Sequence, residues 1–423
     1  MRKHADVVVI GAGIVGLMTA YHLSERGARV MVIDRMGAPA AVCSHANAGI
    51  IAIGHAESWA SPAAIWSMMS ALAGRNPAVK IRNLFDARLV KWGIEFLSNC
   101  SAEKHQMNNR KLYDLSVFSR QILMDIEKKN GFQYHQQHCG SLYLFRDRAQ
   151  WDARKVSFEG EDNSMVKLLD TKDIIELEPS LRVIQDQLVG GFHSLQDSSG
   201  DCLKFTQILA AHIETMPHGS IVYDAEVESF ESKNNKVVSV QTKKGRIECD
   251  ALVVAGGVST PDILKPLGIS VPIYPVKGYS ATYPIRDGKV APRLSAVDET
   301  ELVAYAAYGD RLRLTGIAEF DAGRDRMTLG RTACLDEFAR TTFGDIIEIE
   351  KGQYWTGSRP TSPSGPPYLG RIRALENAWV NAGHGQLGWT MAAGSGHVMA
   401  QLIAGEQPNV TGISASASWL DGV

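Results

Sequence analysis

The chain has 423 residues, too many for one ordinary domain and enough for two, each able to enclose a cofactor. It is 45% hydrophobic and 21% charged with 39 glycines, a globular α/β profile that excludes a disordered or fibrous chain. Its 44 basic and 46 acidic residues nearly cancel, so charge gives no support to a nucleic-acid partner, and basic runs such as Lys128-Lys129 read as solvated faces.

At the N-terminus, Arg2, Lys3 and His4 precede an apolar run that imitates a signal peptide. Glycines at 11, 13 and 16 break that run and no small-residue cleavage site follows, so a cytoplasmic protein is expected. No stretch reaches about 18 uninterrupted apolar residues, which argues against a transmembrane helix; peripheral attachment to the inner face of the cytoplasmic membrane stays open. The six cysteines are scattered, with no CxxC pair and no histidine at ligand spacing, so neither a metal site nor a disulfide framework is expected.

Residues 5–10 form a buried strand of the parallel type. GAGIVG (11–16) and a helical stretch to about Glu25 follow, then a second strand over 28–33 ending on Asp34, which completes a βαβ unit. From Trp59 to about Lys129 the pattern is helical and amphipathic, with Trp66, Trp92, Phe96, Tyr113 and Phe118 spaced as a packed face. A strand is expected over 141–145, a helix from Thr171 to Glu178 stopped by Pro179, and a helix from Leu203 to Glu214. A hairpin turning at 233–236 and a strand over 250–254 running into Ala255-Gly256-Gly257 come next. Beyond Pro272 the alternation through 279–283 and 311–315 predicts an antiparallel sheet walling a pocket, and the tail around 414–418 reads as loosely held.

The glycine fingerprint carries the first chemistry. Gly11 permits the tight turn out of the strand, Gly13 admits a pyrophosphate close to the backbone, and Gly16 lets helix pack on sheet, with Ile14 and Val15 opening the helix. Asp34 stands where a carboxylate accepts hydrogen bonds from both ribose hydroxyls, and Arg35 beside it is a further cofactor-binding candidate. Dinucleotide binding follows, but these residues alone do not separate FAD from NAD. Ala255, Gly256 and Gly257 bring a second glycine-rich strand end to the same switch point. The run Gly383, His384, Gly385, Gln386, Leu387, Gly388, Trp389 and Thr390 sets backbone N–H groups and a helix start against a flavin ring. The bland reading of that run is a glycine loop leading into an ordinary helix.

Together, GAGIVG with Asp34, SHANAG (44–49), PVKGY (275–279), YWTGSRP (354–360) and GHGQLGWTMAAGSG (383–396) resemble the D-amino-acid-oxidase-like FAD-dependent oxidoreductase family over residues 5 to about 408. The resemblance implies a Rossmann-like FAD-binding domain from 1–54, 190–274 and 355–423, and an α+β substrate domain on a mainly antiparallel sheet from 55–189 and 275–354. It implies FAD contacts at Ser44, Asn47, Ala48, Gly49, Ile50 and Val227 as well as at the glycine motifs. Family members with covalent flavin carry a histidine where this chain has Ala46, with His45 one place off, so non-covalent FAD is expected.

The activity implied is oxidative deamination of a D-amino acid to the imino acid, then to 2-oxo acid and ammonia, with electrons passed to a quinone or other carrier. Arg359 would bind the substrate carboxylate as a two-bond fork, Tyr279 or Tyr305 would add a phenolic hydrogen bond, and His55 or His384 is a candidate base. A structural ion pair is the alternative role for Arg359; Lys277 reads as an oxygen-activating cation or as a structural lysine at a turn before Gly278, and the turn is favoured. Alternatives of activity are a glycine-, sarcosine- or hydroxyproline-type oxidase using oxygen, an NAD-dependent dehydrogenase, and a non-catalytic flavin-bound scaffold.

Overall fold

The computed structural model describes residues 3–72, 79–81, 86–158, 164–321, 326–328, 330–408 and 410. The expectation for residues 414–418 lies outside them.

Two sheets organise the molecule. In the first, Lys3–Ile10 pairs in parallel with Val30–Ile33 on one side and with Gly245–Val254 on the other. Gly219–Val222 extends the parallel set at one edge, and Ala378–Ala382 pairs in parallel with Gly245–Val254. Val8, Val9, Val32 and Leu252 are wholly buried, as a parallel sheet covered on both faces requires. The hairpin Val227–Lys233 with Lys236–Thr242 completes it, its turn residues Asn234 and Asn235 at φ 51° and 57°, a geometry asparagine tolerates.

Helices Ile14–Glu25, Ala102–Asn130 and Gly388–Ile403 stack on one face of this sheet. The glycines of the last helix explain the closeness. A Cβ on Gly396 would lie 2.7 Å from the Met18 backbone, and one on Gly394 would lie 2.8 Å from Ser119.

The second sheet runs in the order Val166–Leu169, Gly190–Ser194, Ser141–Phe145, Ser295–Asp298, Val303–Tyr308, Arg311–Phe320, Tyr274–Pro284, Gln353–Thr361. Its pairings are antiparallel except those of Ser141–Phe145 with Ser295–Asp298 and of Val79–Ile81 with Arg311–Phe320. Helix Ala333–Phe343 and the 3₁₀ turn Pro179–Gln187 seal its far face around Leu142, Tyr283, Tyr305 and Leu314.

The expected continuous helical stretch after Trp59 is three helices, Pro62–Leu72, Ala87–Ser98 and Ala102–Asn130, with the strand Val79–Ile81 between the first two. Its aromatic face divides as well. Trp92 and Phe96 are buried, whereas Trp66 is 79% exposed. Ala64 and Met68, one turn apart, point inward, so Trp66, about 200° round the helix from each, points outward. Tyr113 is likewise outward, beside the buried Leu112.

Three elements cross the boundaries expected between the two units. Gly190–Ser194 and Gln353–Thr361 hydrogen-bond into the second sheet, and Ala102–Asn130 packs on the helices of the first. Partner strands and apolar faces decide this membership, and neither is local in sequence.

Candidate active site

A cavity of about 1040 Å³ lies between the C-terminal ends of the parallel strands, at Ile10, Ile33, Ala255 and Ala382, and the near face of the second sheet. This is the switch-point crevice of an open α/β sheet, and the volume is at the upper end of ordinary ligand sites.

The fingerprint forms one wall. Gly11 has φ +115°, and a Cβ there would lie 2.4 Å from the Ala255 carbonyl oxygen; a Cβ on Gly16 would lie 1.9 Å from the Gly11 carbonyl oxygen. Gly13 caps helix Ile14–Glu25 without a side-chain bond, so first-turn amides stay available to an anion, although Ile14 N–H donates to Ser44 Oγ at 3.2 Å. Asp34 accepts from Ala12 N–H at 2.6 Å and from Met36 N–H at 2.8 Å, one bond to each oxygen, and keeps lone pairs for ribose hydroxyls. Asp34, Arg35, Val227, Ala255, Gly256 and Gly257 all border the cavity; Gly16 shapes it from behind.

The loop at 44–50 forms a second wall through Ser44, Asn47, Ala48 and Ile50. Gly49 does not border the cavity. It has φ +70°, and a Cβ there would lie 1.7 Å from the Tyr308 hydroxyl. Tyr308 donates to the Ala48 carbonyl at 2.8 Å, Arg313 donates to that of Asn47 at 3.4 Å, and Thr390 Oγ1 accepts from Ala52 N–H at 3.1 Å. The sequence reading missed Tyr308 and Arg313. The legible signal for Tyr308 is the small residues Ala304 and Ala306 that alternate onto its strand face and invite close packing; nothing local marks Arg313.

The third wall is residues 383–390, every one of which borders the cavity. Gly383 and Gly385 have φ +89° and +55°, and helix Gly388–Ile403 begins without a side-chain cap. His384 is buried with Nε2 3.1 Å from Ser395 Oγ, and burial pulls its pKa down to about 3, so the ring is neutral and engaged.

On the opposite side stands Arg359, its Nη1 donating to the Ile317 carbonyl at 3.0 Å. Ile317 sits beside a register shift at φ +68°, a strained conformation for a β-branched residue. Burial lowers the pKa of the guanidinium from its ordinary value, yet an arginine keeps its charge. No carboxylate among the described residues forms an ion pair with it. The structural ion-pair role is therefore not what these residues display.

Both tyrosine expectations need correction. Strand alternation turns Ala304 to the cavity and Tyr305 to the far core, where Tyr305 packs edge-on against Phe343 at 4.9 Å. Tyr279 borders the cavity, but its ring belongs to the same far core and its hydroxyl donates to Glu319 at 2.5 Å. Lys277 lies within a strand and not at a turn, buried against Glu319 and Asp321 on the far side. His55 does border the cavity. Its Nδ1 is 3.1 Å from Glu299 Oε1, and although burial opposes the charge, the neighbouring carboxylates Glu299 and Glu57 outweigh it and raise the pKa to about 9. A histidine already protonated at neutral pH is no general base.

Residues 6–402 match the model of the family described as DAO, FAD dependent oxidoreductase. The chain belongs to this family. It is 36% identical over 406 residues to a D-amino acid dehydrogenase of Rhizobium johnstonii, covering 96% of this chain and 97% of that protein. A D-amino acid dehydrogenase of Vibrio vulnificus is 34% identical over 402 residues, covering 95% and 96%. Among solved structures, glycine oxidase from Bacillus cereus superposes with a TM-score of 0.72 at 21% identity over 99% of this chain and 97% of that one. L-proline dehydrogenase from P. horikoshii gives 0.73 at 19% identity, also over 99% and 97%.

The residues of this FAD-dependent oxidoreductase fit the cofactor. Among the described residues, Trp355 Nε1 and Gln386 Nε2 are buried N–H donors without a protein partner on residues that border the cavity, donors suited to the carbonyl oxygens of a flavin ring. Asp34 and the start of helix Ile14–Glu25 suit the ribose and pyrophosphate.

Proposed function

We propose that this protein oxidises a D-amino acid to the imino acid, which water converts to the 2-oxo acid and ammonia, and that the electrons leave to a quinone or similar carrier. The observation that carries the reading is Arg359, a cavity-facing guanidinium with no carboxylate partner among the described residues, opposite the glycine-rich flavin wall. The preference for the D isomer rests on the two dehydrogenase relatives.

Bound FAD supplies the two-electron acceptor for a hydride. Arg359 takes the substrate carboxylate through two parallel hydrogen bonds and so fixes Cα relative to the cofactor wall. The Cα–H bond breaks with its electron pair, the nitrogen lone pair forms C=N, and one amine proton is lost. Because His55 is cationic and His384 is engaged, that proton goes to solvent from a substrate bound as the free amine. FAD is held without a covalent link: His45 stacks on Trp355 at 4.2 Å and Ala46 offers no nucleophile. The first sheet with its helices is the FAD-binding unit and the second sheet the substrate unit.

A quinone acceptor is supported by the outer end of the cavity. Val90 both borders the cavity and is 51% exposed, and Ile94 and Leu97 continue the same outer face of helix Ala87–Ser98, with Ile65 and Trp66 exposed on helix Pro62–Leu72. Such an apolar rim suits a lipophilic acceptor at a membrane surface. No helix of the described residues is long and apolar enough to cross a membrane.

The test is the visible spectrum of the purified protein without oxygen, before and after D- and L-amino acids, glycine and sarcosine, followed by a short-chain quinone or by air. Bleaching by D-amino acids with fast recovery on quinone supports the proposal. Recovery in air with peroxide makes the protein an oxidase, and a flavin that no amine bleaches makes it a scaffold.

A further inference from the structure

We infer that the side-chain end of the substrate pocket is built for a short side chain bearing a hydroxyl, recognised by Glu299 and His55. This rests on the amino acid reading above and narrows it.

Asp298 pairs with Val303, and Val303 with Gly316. One residue further along, Glu299 and Ile317 therefore stand at the same level, two strands apart, which is about 10 Å at the usual strand spacing. The Arg359 guanidinium is anchored at Ile317. Arg359 and Glu299 both border the cavity, so this spacing sets a short side chain of a substrate held by Arg359 beside Glu299.

The chemistry of the pair selects the same group. His55 uses Nδ1 on Glu299, so among the described residues its other N–H and the second Glu299 oxygen remain as one donor beside one acceptor. A hydroxyl donates and accepts at once and satisfies both. An ammonium has donors only and would leave the His55 N–H without an acceptor, and a methyl would desolvate both groups unpaired. Nearby Glu57 does not compete, because it receives Arg154 Nη1 at 2.7 Å.

The pair is held in place before substrate arrives. The His55 ring stacks parallel on Tyr143 at 5.8 Å. Tyr143 donates to Asp197 at 2.6 Å, and the other oxygen of Asp197 accepts from Ile53 and Gly54 N–H, each at 2.9 Å. Ring and loop are thus tied to one buried carboxylate.

The experiment compares isosteric pairs by anaerobic flavin reduction with the FAD-loaded protein: D-threonine against D-2-aminobutyrate, and 4-hydroxy-D-proline against D-proline, in wild type and Glu299→Gln. We expect a preference for the hydroxylated member of at least tenfold in kcat/KM in wild type, shrinking to threefold or less in Glu299→Gln. The wild-type ratio does not depend on how the variant folds. Equal or reversed preferences in wild type overturn the inference alone. So does an equal loss for every substrate in Glu299→Gln, which would place Glu299 on the α-amino group. If no amino acid bleaches the flavin, the amino acid reading falls with it.

Discussion

The guanidinium of Arg359 lies across the backbone of Gly278, so close that a Cβ on Gly278 would sit 2.3 Å from Nη1 and 2.5 Å from Cζ. Gly278 has no positive φ, so its glycine serves the arginine and not the chain. Gly278→Ala is expected to fold and bind FAD, because the obstructed group is the far end of a flexible side chain. Its displaced guanidinium should raise KM for amino acid substrates tenfold or more, about 1.4 kcal/mol, measured by steady-state kinetics at matched flavin content.

Removing the arginine itself goes further. Arg359→Ala should lower kcat/KM for carboxylate substrates by at least tenfold, with flavin content unchanged, and Arg359→Lys should recover little because a point charge cannot form the fork. Unchanged kinetics would take Arg359 out of the site.

Gly11→Ala should yield protein without flavin. Its Cβ would meet backbone at 2.4 Å, and φ +115° is closed to alanine, so the strand-to-helix turn must move. The ratio of flavin to protein absorbance reads this directly, and a normal ratio would show that the turn is not the cofactor's cradle.

Tyr305→Phe separates the sequence expectation from the structure. Among the described residues the hydroxyl is buried without a partner on the far side of the sheet, so its loss should leave kcat/KM within about twofold and leave stability unchanged or slightly higher. A tenfold drop in kcat/KM would restore Tyr305 to the pocket.

His55 gives stability a slope in the alkaline range. Its folded pKa of about 9 exceeds the ordinary 6.5, so the His55–Glu299 contribution is complete below about pH 6.5 and is lost as pH rises through about 9. The change is at most about 3 kcal/mol on the conversion of pKa to free energy. Urea unfolding at pH 6.5 and 9.5 should show a larger loss in wild type than in His55→Gln; equal losses would mean the ring is not held as a cation.

Much of this was legible in residues 11–16, 34 and 383–390, because their chemistry is local. A glycine needed for a turn, an acid closing a βαβ unit and a glycine loop opening a helix declare themselves within a few positions. The resemblance pointed to Arg359, which borders the cavity. Trp66 and Tyr113 were misread because helical spacing says which residues share a face and not what that face meets. Tyr279 and Tyr305 were misread because assigning them to the cavity needed the side of the sheet, which period-2 alternation fixes only once a neighbouring strand's orientation is known.

The sequence by itself determined the cofactor wall and the class of chemistry, since those depend on backbone conformations that few residue types allow. Only the tertiary structure decided which groups are free to act. Tyr279 is turned away by its bond to Glu319, His55 becomes a cation beside Glu299, and Arg359 is aimed through the absence of a Cβ at Gly278. Each partner in those pairs is brought in by strand pairing and burial, which set hydrogen bonds and charge states from residues distant in the chain.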